Sequence, residues 1–159
     1  MSELFSNYSA FIVSLHVFSA IVWVGGMIAM RMIVHPSMQR VDDPKIKLGK
    51  TLEIMKRLLN MVIPMIIILL LTALIMVIGL GFKGTELYST VLIKEGIWTI
   101  MTIIFIVIYI KRYKAEKLFR KGEFVGAKEK VKLVPNLLLP INIILGLLAL
   151  YLGVVLRGL

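Results

Sequence analysis

The chain has 159 residues, of which 59% are hydrophobic, contains no cysteine, and carries a formal net charge of +10 at pH 7. Its mean hydropathy is +0.94, and a soluble core of this length cannot bury so much apolar surface, so the composition predicts an integral membrane protein. The absence of cysteine excludes disulfides, thiolate chemistry and iron–sulfur ligation, and two histidines are too few for a histidine-rich metal site.

Four apolar runs are long enough to cross a bilayer, and they define the predicted architecture. They cover residues 9–30, 58–80, 89–110 and 134–156. We therefore predict an all-α membrane protein, a four-transmembrane-helix bundle in which residues 1–159 form a single domain. The first run is too long for a cleavable signal peptide, so we expect none.

The basic residues predict how the bundle is oriented. Seven lysines and arginines lie in residues 31–57 and nine in residues 111–132, whereas the turn between the second and third helices holds one. The positive-inside rule then places both basic connections in the cytoplasm and both termini outside, in the inner membrane of the cell. Contact with membrane lipid headgroups explains the net charge, so we expect no nucleic-acid partner.

The first helix carries a histidine, His16, about seven residues from its start, which is roughly 10 Å deep at 1.5 Å per residue. An ionisable side chain at that depth is costly and is usually paired or functional. The helical stripe of His16 continues through Ala20, Trp23, Met27 and Met30. Two interpretations stay open: a slot for a flat ligand beside the histidine, or a histidine that only hydrogen-bonds to a neighbouring helix.

The third helix carries Lys94 and Glu95, also inside an apolar run. Lys94 lies about five residues in, roughly 8 Å deep, and is thus nearly level with His16; it shares a helical face with Trp98. His35 follows His16 by 19 residues, about 28 Å along a helix, so the two histidines cannot bind one small ligand. This leaves His16 and Lys94 as a candidate pair. Alternatively, Lys94 snorkels to the headgroups, with Glu95 as its counter-ion or as a proton carrier.

These residues resemble the HemJ-type and copper-resistance-protein-D-like (CopD) integral membrane proteins. The first helix of HemJ-type proteins carries, in order, a histidine, a tryptophan, a glycine, an arginine and a second histidine. The matching residues here are His16, Trp23, Gly26, Arg31 and His35. The basic opening, the Pro-Met pair and the intramembrane lysine of the later helices are matched by Arg57, Pro64, Met65 and Lys94.

The resemblance implies a haem b inside the bundle, with His16 and Lys94 as its metal ligands. The expected cofactor-binding residues are His16, Lys94, Trp23, Trp98 and Arg31. HemJ-type proteins oxidise protoporphyrinogen IX and pass the electrons onward to quinone, so a porphyrin or a quinone is the expected small-molecule partner. In this interpretation the protein is an oxidoreductase, and Glu95 is the catalytic proton acceptor.

Two further functions stay open at this point, together with self-association as a homo-oligomer. The Trp-x-Gly-Gly form at residues 23–26 resembles the copper-resistance branch, and methionine thioethers are soft ligands suited to Cu(I). The candidate methionines are Met27, Met30, Met32 and Met38; their alternative role is flexible core filler. The third function is a non-catalytic, haem-bearing accessory subunit of a respiratory assembly.

Overall fold

The computed structural model describes residues 2–81 and 84–156, and every regular element within those ranges is helical. The α-helices are α1 Ser2–Ala29, α2 His35–Gln39, α3 Pro44–Gly79, α4 Tyr88–Arg120, α5 Phe124–Val131 and α6 Leu139–Val155. Two π-helical turns, Met30–Val34 and Val134–Leu138, connect α1 to α2 and precede α6. Four helical stretches, Phe5–Gln39, Pro44–Gly79, Tyr88–Arg120 and Phe124–Val155, are long and apolar enough to cross a membrane. The predicted all-α bundle of four transmembrane helices is confirmed.

The helices extend well beyond the apolar runs, because the basic connections are themselves helical. α3 begins at Pro44, where Asp43 caps the helix: its carboxylate accepts the backbone N–H groups of Lys45 at 2.7 Å and Ile46 at 3.0 Å. A proline at the first helical position loses no hydrogen bond, so Asp43 and Pro44 together make a strong helix start. α4 likewise continues to Arg120.

The two π-helical turns interrupt the first and last membrane-spanning stretches. In the first, the His35 N–H donates to the Met30 carbonyl, five residues back. In the second, the Leu139 N–H donates to the Val134 carbonyl. Pro140 follows directly; it has no N–H to donate, so a regular α-helical ladder could not run through this position.

The four membrane-spanning stretches form a square bundle. α1 packs against α3 and α6, and α4 packs against the same two helices, so α1 and α4 lie on one diagonal. Across that diagonal the rings of Trp23 and Phe105 meet edge to face, with centroids 6.1 Å apart. α6 approaches closely at Gly146, where an added Cβ would lie 2.8 Å from Val24. The outward side chains remain apolar, as lipid contact requires.

The bundle has two ends of different character. The terminal end holds the start of α1, the end of α3, the start of α4 and the end of α6. The basic end holds α2, the start of α3, the end of α4 and α5. His16 and Lys94 lie towards the terminal end, whereas the arginine- and lysine-rich segments lie at the basic end.

Candidate functional site

His16 is fixed by a hydrogen bond to α3. Its Nδ1 lies 2.8 Å from Oγ1 of Thr72, which is buried. The Thr72 hydroxyl donates its own proton to the carbonyl of Ile68 at 2.7 Å. A hydroxyl has one proton, so when Thr72 donates to Ile68 its oxygen can accept from a His16 Nδ1–H. His16 thus has the hydrogen bond to a neighbouring helix that one of the two interpretations expects.

The hydrogen bond to Thr72 fits the tautomer of His16 that carries its proton on Nδ1 and its lone pair on Nε2. The ring also has a hydrogen bond with the backbone of Leu69, so α3 holds it at two neighbouring positions. Metal-bound histidines are commonly held in this way, since one ring nitrogen donates to a fixed acceptor while the other binds the metal. His16 is therefore oriented by α3.

Lys94 lies half-buried on α4, on the other side of the diagonal. Its Nζ lies 3.1 Å from the position that a Cβ on Gly153 would take, so the glycine of α6 leaves room for the amine. No hydrogen bond or ion pair of the Lys94 side chain occurs within residues 2–81 and 84–156, and Glu95 beside it is exposed. The lysine is near enough for its charge to act on the His16 ring.

The relative levels of these residues follow from the direction of the helices. α1 and α4 run in the same direction, and Trp23 meets Phe105. His16 precedes Trp23 by seven residues, and Trp98 precedes Phe105 by the same number, so Trp98 is level with His16. Lys94 is then about one turn, or roughly 6 Å, nearer the terminal end than His16. The two nitrogens lie on the same diagonal, one turn apart along the bundle.

Within the described part of the chain, three buried polar atoms beside this diagonal lack a hydrogen-bond partner. They are Nε1 of Trp23, Nε1 of Trp98 and Oδ1 of Asn142. The amide of Asn142, on α6, uses its Nδ2 to donate to the Met101 carbonyl at 3.4 Å. Since buried polar groups are normally satisfied, two free donors and a free acceptor from three helices indicate a polar guest or water within the bundle. The sequence singled out both tryptophans and missed Asn142, which only the position of α6 brings inwards.

A cavity opens at the terminal end, above His16. It has a volume of about 680 Å³ and is lined by Phe5, Ser9, Ala10, Val13, Ser14, Leu80 and Leu156. Ser9 precedes His16 by seven residues and therefore shares its helical face. The volume falls within the range of small-molecule sites. The lining reaches Val13 and Ser14, within one turn of His16, and does not include the histidine itself.

Two of the predicted site residues lie apart from this group. Arg31 is in the π-helical turn near the basic end, where its charge acts on His35 rather than on His16. Glu95 is exposed on α4. The structure thus places His16, Lys94, Trp23 and Trp98 on the two helices of one diagonal, with Trp23 about two turns further from the terminal end than His16. Arg31 and Glu95 lie outside this group.

The candidate copper ligands do not converge. Met27 and Met30 are buried in the hydrophobic core, whereas the side chain of Met32 is 71% exposed on the outside of the bundle. Core filling explains the buried methionines without a metal. The arrangement gives the copper interpretation no support.

Arg112, which the sequence analysis did not single out, is buried in the structure. The residue, in α4, is 3% exposed; its Nε donates to the Leu52 carbonyl at 3.4 Å, and its Nη2 pairs with Glu116. Glu116 also accepts from Arg120 at 2.7 Å. An acid flanked by arginines four residues before and after it is a recognisable helical pattern, but only the packing of α3 shows that Arg112 is buried.

A comparison of the chain with protein-family models, with curated proteins and with solved structures finds no match. The assignment of a function therefore depends on the chemistry of the His16–Lys94 diagonal.

Proposed function

We propose that this chain is a membrane redox protein in which His16 and Lys94 would hold a haem b through their side-chain nitrogens. The observation that supports this most directly is the position of His16: its Nδ1 lies 2.8 Å from Oγ1 of Thr72, which would hold the ring with Nε2 as the metal-binding nitrogen. A neutral imidazole with a fixed second nitrogen is the form in which histidine binds a metal. An intramembrane lysine with no hydrogen bond or ion pair among the described residues also calls for a function, because it is costly in lipid.

The other residues near the diagonal are also compatible with a bound haem. The free indole N–H groups of Trp23 and Trp98 and the free oxygen of Asn142 provide polar contacts beside an apolar core. Lys94 binds only as the neutral amine, and the space at Gly153 accommodates that amine. A bound haem supplies one-electron chemistry at a potential set by its axial ligands and its burial. The protein holds the ligands, excludes water and separates the redox centre from both membrane surfaces.

The ligand assignment is tested by the absorption spectrum and pyridine haemochrome content of the purified protein. We expect His16→Ala and Lys94→Ala each to abolish or grossly alter the haem spectrum. His35→Ala is the matched control, because His35 is 19 residues further along and should leave the Soret band nearly unchanged. Loss of haem in His35→Ala with retention in Lys94→Ala would show that the pairing is wrong.

The coordination state gives a second, independent readout. With His16 and Lys94 both bound, no open position remains for a gas, so a low-spin spectrum is expected in both redox states. The reduced protein should bind little carbon monoxide. Stoichiometric binding of carbon monoxide at neutral pH, with a high-spin reduced form, would remove Lys94 from the ligand set.

As the reaction we propose oxidation of protoporphyrinogen IX to protoporphyrin IX with quinone as the electron acceptor. Glu95, exposed next to Lys94, then accepts released protons. Porphyrin fluorescence measures turnover, and Glu95→Gln should slow it while leaving the haem spectrum unchanged. A haem-loaded protein that does not oxidise the porphyrinogen is instead an electron-carrying accessory subunit.

A further inference from the structure

A second cavity lies at the basic end, between α3 and α4. Its volume is about 240 Å³, and its lining residues are Gly49, Leu52, Glu53, Lys56, Arg112, Glu116, Phe119 and Arg120. Lys56 stands just before the apolar run that begins at residue 58, and Arg112 just after the run that ends at residue 110. The cavity is therefore level with the boundary of the hydrocarbon core, where the phosphates of lipid headgroups lie.

The inner wall of this cavity is the buried guanidinium of Arg112. Its Nε donates to Leu52 and its Nη2 to Glu116, whereas Nη1 has no hydrogen-bond partner within the described part of the chain. Arginine has five N–H donors in a rigid fork, so a pair of donors stays available. A buried guanidinium is stable only when a counter-charge balances it and acceptors satisfy its N–H donors. Arg112 shares its one carboxylate, that of Glu116, with Arg120, so its charge is only partly balanced.

The charges around the cavity do not balance. Glu116 is shared between Arg112 and Arg120, and Glu53 pairs with Arg57. Lys56 forms no ion pair with any residue that the structure describes. Both acids of the lining are thus engaged, and a surplus of positive charge remains. An anion at this position would complete the arrangement.

We propose that this cavity binds a phosphate-ester anion, held by Nη1 of Arg112 and by the ammonium of Lys56, with Arg120 at the rim. The bidentate fork of arginine suits phosphate oxygens, and lysine adds a mobile point charge. The same chemistry is offered by the headgroup of an acidic phospholipid and by free phosphate.

Native mass spectrometry of the detergent-purified full chain, titrated with dioleoylphosphatidylglycerol, tests the site. Lys56→Gln should weaken lipid binding about fivefold, the value expected for one basic residue near an anionic headgroup. Lys114→Gln is the matched control, since it removes the same charge from exposed α4 without touching the cavity, and it should change nothing. If the two variants weakened lipid binding equally, the lipid would be held by the overall positive charge of the surface and not by this cavity, and the proposal would be overturned.

Two further measurements identify the source of the phosphate and protect the test from misfolding. Arg112→Lys keeps the charge but loses the fork, so it should weaken binding at least as much as Lys56→Gln; if it unfolds, the Lys56 and Lys114 pair still decides. Competition by millimolar inorganic phosphate would identify free phosphate as sufficient. Binding of phosphatidylglycerol without that competition would identify the lipid. Failure of both ligands to bind would contradict the proposal.

Discussion

The inward-facing ionisable residues have different numbers of bonding partners at the two ends of the bundle. At the basic end, Arg112 is more deeply buried than His16 or Lys94, yet it has a carbonyl and a carboxylate as partners. Towards the terminal end, His16 is hydrogen-bonded to α3, whereas Lys94 has no hydrogen bond or ion pair among the described residues. Burial alone therefore does not mark a functional site. The distinguishing feature is a buried or half-buried polar group whose bonding capacity is left unused.

This difference follows from the cost of placing charge in lipid or protein. A buried charge with partners on its own helix and on its neighbour contributes to a specific packing of the two helices. A half-buried ionisable group without partners is not explained by packing. We therefore assign the Nε and Nη2 bonds of Arg112 to holding α3 against α4, and its remaining Nη1 to the proposed anion site. The His16–Lys94 diagonal we assign to binding the proposed haem.

The largest effect expected from this comparison concerns topology and is all-or-none. We place the basic end in the cytoplasm because residues 31–57 and 111–132 hold sixteen of the nineteen lysines and arginines. A reporter inserted in residues 122–128 should be active only in the cytoplasm. A reporter fused after residue 159 should be active only outside it. The opposite labelling would reverse the two ends.

The next largest effect concerns the ion pairs of the basic end. Glu116→Ala leaves the buried Arg112 without a carboxylate and should lower the free energy of unfolding by about 3 kcal/mol. Glu53→Ala, the control, breaks only the exposed pair with Arg57 and should cost less than about 1 kcal/mol. Titration with sodium dodecyl sulfate measures both. Equal losses would mean that the buried network is no stronger than a surface ion pair.

A smaller effect on stability is expected between the two ends, where α6 contacts α1. Gly146→Ala brings a Cβ to 2.8 Å from Val24 and 3.2 Å from Met101, so it should destabilise the bundle by about 1 to 3 kcal/mol. Gly96→Ala meets nothing within 4 Å and should stabilise its helix by up to about 1 kcal/mol. The same detergent titration compares them. A neutral Gly146→Ala would show that the helices can separate there without cost.

The smallest expected effect sharpens the interpretation of the terminal end. Thr72→Val keeps the shape of the side chain but removes the acceptor for His16 Nδ1–H, at a cost of about 1 kcal/mol to stability. The proposed haem affinity should fall about tenfold, as it does when a histidine ligand loses its supporting hydrogen bond. Thr72→Ser restores the hydroxyl and should restore the affinity. An unchanged affinity in Thr72→Val would separate Thr72 from ligand binding.

The sequence predicts the spans well because apolar composition is a local property, and it predicts much less about how the spans face one another. The predicted second span begins at residue 58, whereas α3 begins at Pro44, because the capping signal of Asp43 and Pro44 lies outside the apolar run. The partner of His16 was not readable: Thr72 sits in an apolar run, and only the register of α1 against α3 brings the two together. In the sequence, Arg112 is one of several basic residues that follow the third apolar run, and only the packing of α3 against α4 shows that it is buried.

The π-helical turns have a consequence for how relatives of this chain should be aligned. A π turn accommodates one residue more than an α turn, and one residue corresponds to about 100° of rotation about the helix axis. Positions beyond Met30–Val34 are therefore out of phase with the stripe that begins at His16, and those beyond Val134–Leu138 are out of phase with the residues before it. A relative with a regular helix at either turn would present the same faces with its numbering shifted by one. An alignment gap placed at these two turns is structurally neutral, whereas the same gap elsewhere in a span would rotate every contact after it.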